Sequence, residues 1–275
     1  MKSLFPVKYL FSICLVVFLF SFCKNEQVRK TEIPAHVDAS TKAENLPLPT
    51  THSKSLTDDD FESLPSYPMH RDAGKFTPYD EATKDPSLMK FRARLWKAIQ
   101  EKDVAFLTDA LDQNIKIGFG DNNGKKAFIQ QWQLYSNPKN SNLWQELGNV
   151  LKLGGAFGQH SNYQFCAPYV SDLEDIEDPF EEGIIIGEGV RLRAHPNSKG
   201  KVLKNLSWEK VGLLMQVDAQ KEVIGGEEHY WQKVITSEDL EGFVYGKFIR
   251  TPVDYRAWFE KKDEQWKMTS FLAGD

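Results

Sequence analysis

The chain has 275 residues, 41% hydrophobic and 27% charged, with a formal net charge of −5. That balance suits a globular protein with room for more than one core. With 34 basic residues against 39 acidic ones and no basic patch to offset them, it argues against nucleic acid as a partner.

Residues 1–23 read as an export signal rather than as part of a fold. Lys2 and Lys8 supply a charged start, and Tyr9 to Phe22 is an almost unbroken apolar run ending at Cys23. The run is short for a membrane span. A cysteine directly after it, with Lys24-Asn25-Glu26 following, resembles a bacterial lipoprotein signal, although Phe22 stands where a small residue is usual. The resemblance implies lipidation at Cys23 and a membrane anchor. The other readings are an uncleaved anchor and cleavage elsewhere. Each places the rest of the chain outside the cytoplasm, in the cell envelope. Without residues 1–22 the 34 basic residues lose Lys2 and Lys8, and the charge against 39 acids becomes −7.

Residues 24–84 read as a disordered tether. Seven of the 13 prolines fall from Lys24 through Pro86, and apolar periodicity is absent. Such a stretch buries too little to offset the entropy of ordering it. Four aromatics near its end, Phe61, Tyr67, Phe76 and Tyr79, are candidates to pack on the folded body.

Order is expected from Asp85, with an α+β domain over 85–182. Asp85 suits a helix cap and Pro86 its first position. Leu88, Phe91, Leu95, Trp96 and Ile99 then recur at helical spacing. Asp103 caps a shorter helix through Val104, Leu107 and Leu111. Ile115, Ile117 and Phe119 alternate as a strand, and Asp121-Asn122-Asn123-Gly124 is a turn. Helices follow over Lys125–Leu134 and from Ser141 to Gly154-Gly155. Tyr163–Val170 reads as a short strand.

From residue 183 to 251 the pattern changes to short strands. Val190 and Leu192 alternate with Arg191 and Arg193, and further apolar runs fall at Val202–Leu206, Val211–Val217, Trp231–Val234 and Phe243–Val244. Turn residues separate them, which reads as a small all-β barrel. The motif Val190, Leu192, Arg193, Pro196, then Trp231 and Val234, then Gly242, Phe243, Val244, Phe248 and Ile249 resembles the bacterial SH3 (SH3b) family. Phe243 stands where tryptophan is usual, and the polar stretch Asp218–Glu228 reads as a long loop. The resemblance implies an SH3-like, non-catalytic module that binds cell-wall peptide or a protein partner, and it implies no cofactor.

Residues 252–275 read as a hairpin around Lys261–Glu264. With the helix pair and strand of 88–124, this hairpin resembles nuclear-transport-factor-2-like and cystatin-like folds. It is expected to pair back onto the α+β domain, leaving the barrel as an insertion. The other reading is that it extends or caps the barrel. The fold class expected is thus α+β: a helical domain with a small sheet, an SH3-like barrel and a C-terminal hairpin.

Candidate chemistry is sparse. Cys166 with His160 is a thiol–imidazole pair, but Cys166 sits in an aromatic run before Ala167-Pro168 and suits a buried structural role. The acids from Asp172 to Glu182 lack the spacing and glycine of a calcium loop and read as a solvated linker. The six histidines lack zinc spacing. No metal, cofactor or catalytic group is implied. Along family lines the binding candidates are Arg191, Arg193, Trp208, Tyr230 and Tyr245. Trp208 and Tyr245 are expected to be accessible, and Trp231 and Phe243 to be core. The alternative function is a small-ligand or enzymatic pocket in the α+β domain, for which an exposed cleft of Trp96, Trp132 and Trp144 with a buried acid would be the sign.

Overall fold

The computed structural model describes residues 65–158 and 164–274. The expected signal with Cys23, most of the expected tether, and His160 lie outside the described residues. The described chain is α+β, with helices and two sheets. Among the described residues no helix is long and apolar enough to cross a membrane.

Helix α1 spans Pro86–Glu101. The Asp85 carboxylate accepts the amides of Ser87 and Leu88 at 2.7 and 3.1 Å, satisfying donors that the first turn leaves open. Lys102, at φ 55°, ends the helix in the left-handed region. Leu88, Leu95, Trp96 and Ile99 are buried in the first core. Helix α2 spans Val104–Ala110, with Asp103 accepting the Phe106 amide.

Strand β1, Leu111–Lys116, begins at Leu111, the residue expected to close that helix. Leu111 is drawn into the sheet opposite Met268. The strand stops before Ile117, whose amide is taken by the Asn123 side chain at 2.8 Å. Phe119 therefore lies beyond the strand and is 62% exposed, which corrects the expected Ile115–Phe119 alternation. Helices α3 (Lys125–Gln131) and α4 (Leu143–Leu151) follow, then β2 (Ala156–Phe157) and β3 (Gln164–Ala167).

Eight strands come next: β4 (Glu182–Ile185), β5 (Val190–Arg193), β6 (Val202–Leu206), β7 (Lys210–Leu213), β8 (Lys221–Ile224), β9 (Glu227–Ile235), β10 (Glu241–Tyr245) and β11 (Ile249–Arg250). They form one sheet in the order β11-β4-β7-β9-β10-β5-β6, with β8 on β9. Every pairing in it is antiparallel. Ile185, Val190, Leu192, Leu206, Val211, Val234 and Val244 make a core of its own. The stretch expected to be a polar loop, Asp218–Glu228, instead contains β8 and the turn into β9. Gly225 and Gly226, at φ 64° and 86°, supply the positive φ values of a tight hairpin.

The chain then returns to the first sheet as β12 (Arg256–Lys262) and β13 (Gln265–Leu272). Its order is β1-β13-β12-β3-β2, with β13 parallel to β1 and β12 antiparallel to β3. Phe259, Met268 and Phe271 pack there against the helices. Each such side chain contributes roughly 1.5–3 kcal/mol by leaving water.

Structure also reaches back before Asp85, into the expected tether. Residues 65–80 form a strap across both sheets. Phe76 and Tyr79 pack with Tyr169, Val170, Leu173 and Ile184. The Tyr169 hydroxyl donates to the Phe76 carbonyl at 2.7 Å. The strap has no apolar period of its own, so its order comes from these contacts.

Candidate functional site

Trp208 occupies the short turn between β6 and β7. Its φ is 49°, a region that costs a bulky residue free energy. Bonds on both sides hold it there. Its amide donates to the Gly187 carbonyl at 3.2 Å, and its carbonyl accepts the Phe76 amide at 3.0 Å. Beside it the Ser207 hydroxyl accepts the Gly189 amide and the Glu209 carboxylate accepts the Ser207 amide. The indole is left half-buried between two clefts.

One cleft, of about 490 Å³, is lined by Gly74 and Phe76 of the strap, Trp208, Lys210, Ile235 and Asp239 among others. The other, of about 650 Å³, is lined by Lys75, Thr77, Glu188 and Trp208 among others. The strap thus provides one wall of each. Arg71 steadies that wall, donating to the Lys75 carbonyl and lying 5.3 Å from the Phe76 ring centroid. At the floor of the first cleft Lys210 pairs with Glu182 at 2.6 Å and donates to the Asp175 carbonyl. The Lys210 ammonium holds the Glu182 carboxyl below its ordinary range, with burial opposing.

The five residues singled out from the sequence do not share a surface. Neither cleft lining includes Arg191, Arg193, Tyr230 or Tyr245. Tyr245, expected to be accessible, is 4% exposed. Its hydroxyl donates to the carbonyls of Glu222 and Glu227 on the β8–β9 hairpin. Arg193 is 8% exposed and donates to the Gly200 carbonyl at 2.6 Å, so it fixes the β5–β6 loop from inside. It offers no charge to a carboxylate ligand. Arg191 is exposed on β5. Tyr230 is 52% exposed under the Lys221 ammonium, 4.6 Å from its ring centroid. Trp231 is buried as expected, its Nε1 donating to Glu222, whereas Phe243 is half-buried.

Trp96, Trp132 and Trp144 all lie in the first core rather than lining an exposed cleft. Burial pushes the Cys166 thiol up to about 12, so it carries no thiolate at neutral pH. Among the described residues no group of three His, Cys, Asp or Glu could hold a metal ion. Sequence reading passed over Gly74, Glu209 and Asp239, and it marked Phe76 only as an aromatic to pack on the folded body, not as part of a site. The signal for the strap was the turn Asp72-Ala73-Gly74 running into Phe76.

No family model matches the chain, and no curated protein matches it. A designed NTF2-like protein of solved structure is 11% identical, covering 71% of this chain and 100% of its own, at a TM-score of 0.27. A likeness that slight carries no argument here.

Proposed function

We propose that the chain is a non-catalytic cell-envelope lipoprotein. In this reading Cys23 carries the lipid, residues 24–64 span the distance from the membrane, and residues 182–250 are an SH3-like module. The module binds an extended segment of cell-wall peptide or of an envelope protein. The binding place is the pair of clefts about Trp208, not a face shared with Arg191, Arg193, Tyr230 and Tyr245.

One observation carries this. A large apolar ring is held half out of the surface, in costly backbone geometry, by bonds from both neighbouring segments. Strain that a fold maintains at a concave surface is a sign of use. The strand leading into Trp208 adds to it. β6 ends the sheet order, and its Val202 and Leu203 are exposed. An extended chain can hydrogen-bond along such an edge and rest a side chain on the ring. For a short peptide the affinity is on the order of micromolar, after the ordering costs.

Retention of the full chain on purified cell wall tests the reading. Trp208→Ala should elute ahead of the wild type while melting at a similar temperature. Equal retention of the two would remove the Trp208 clefts as the binding place. Cys23→Ala should release the protein from membranes. If it still pellets after an alkaline wash, the apolar segment is the anchor instead of a lipid.

A further inference from the structure

Resting on the Trp208 reading, we infer that the clefts select a ligand segment carrying a primary ammonium group: an extended peptide with a lysine-like side chain. The two linings together hold Glu182, Glu188, Glu209 and Asp239 against Lys75 and Lys210. Both cations are already engaged. Lys210 lies 2.6 Å from Glu182, and Lys75 lies 3.5 Å from Asp72. Lys204, which faces Glu209 from β6, pairs with Glu238 at 2.9 Å. Among the described residues Glu188, Glu209 and Asp239 form no salt bridge.

Spare carboxylates thus surround a half-exposed indole, and the fixed cations are used up. An indole face attracts a cation through its quadrupole. A carboxylate beside it adds a charge-assisted hydrogen bond to an N–H donor. An ammonium on a flexible stem satisfies both, with its methylenes against Trp208 and Ile235. A carboxylate-bearing segment meets repulsion in the same place. Arg193, a candidate to attract an anion, is turned inward onto Gly200. Occupancy by peptide follows from the open edge of β6, which gives a main chain somewhere to pair.

Calorimetric titration of the full chain in detergent tests this with three probes. They are an N-acetylated alanine peptide carrying one lysine, the same peptide with that lysine Nε-acetylated, and free butylammonium. Acetylation should weaken binding about tenfold, the scale of a partly desolvated cation–π contact. Glu209→Gln with Asp239→Asn should reduce the gap between the two peptides to about twofold. Both substitutions keep a hydrogen-bond acceptor, and asparagine tolerates the φ of 59° at position 239. Equal affinity for the two peptides overturns the ammonium selection and leaves the clefts as a peptide site. Butylammonium binding as tightly as the lysine peptide overturns peptide as the source of the ammonium. Neither peptide binding a folded wild type overturns this inference and the Trp208 reading together.

Discussion

The Phe76 amide donates to the Trp208 carbonyl at 3.0 Å, joining the strap to the turn that presents the indole. The ring and the backbone geometry at this position are separable. Trp208→Gly removes both ring and strain, whereas Trp208→Ala removes the ring and keeps the strain. Glycine should therefore be the more stable variant, by about 1 kcal/mol. Both should lose wall retention equally. A glycine variant that retains binding would show that the backbone bonds, not the ring, serve the ligand.

Tyr245 is a structural residue. Tyr245→Ala should destabilise by about 3–5 kcal/mol in urea titrations, as truncation of a buried aromatic does. Tyr245→Phe should cost about 1–3 kcal/mol, since it leaves the Glu222 and Glu227 carbonyls without their donor. A Tyr245→Ala variant of wild-type stability with weakened binding would restore the original assignment.

Arg92 and Asp80 form a buried ion pair at 2.5 Å between α1 and the strap. Asp80→Ala strands a guanidinium in the interior and should cost about 3–5 kcal/mol. Adding Arg92→Leu should recover much of that loss. A double variant no more stable than Asp80→Ala would show that the cost lies in the lost Ala82 cap rather than in the stranded charge.

The Cys166 thiol, pushed up to about 12 by burial, should ignore a thiol reagent at pH 8 until the fold is opened. The test uses a chain carrying Cys14→Ser and Cys23→Ser, with labelling followed across a denaturant series. Rapid labelling of the native chain would contradict the buried role.

Glu182 links stability to pH. Its folded pKa is lowered by Lys210 from the ordinary 4.5. The sign follows directly: the contribution is full above 4.5 and is lost as pH falls through the lower folded value. Glu182→Gln should flatten the acid limb of the melting-temperature profile and leave its neutral region parallel to wild type. An unchanged acid limb would mean the pairing with Lys210 contributes nothing to folding.

The helices were legible because their signals are local. Asp85 and Asp103 cap as their side chains suggest, and the apolar spacing of Leu88 to Ile99 marks a buried face. The strap was legible only as aromatics, Phe76 and Tyr79 among them, that would pack on the body; its ordered course was not, since that depends on Tyr169 and Trp208, distant in sequence. The misplacement of Tyr245 came from one missed turn. Val244 faces the core of the second sheet, so alternation puts Tyr245 on the opposite side. That side is covered by the β8–β9 hairpin, which closes over both Tyr245 and Trp231. The pair Gly225-Gly226 between Val223-Ile224 and Glu227–Tyr230 was the available sign. Of the candidate site only Trp208 was readable, because the clefts need the strap to exist.

The position of β12 and β13 bears on how the chain acquires its shape. β1 and β3 have no contact as neighbours; the hairpin that separates them is made after all eight strands of the second sheet. A polypeptide emerging from its amino end can finish the second sheet while the first still lacks its middle. The helices would wait over half a sheet, their apolar faces uncovered, until residues 256–272 arrive. Such distant pairing is slow to form. The larger core therefore cannot lock until nearly the whole of the described chain has been made, whereas the second sheet can close on its own beforehand.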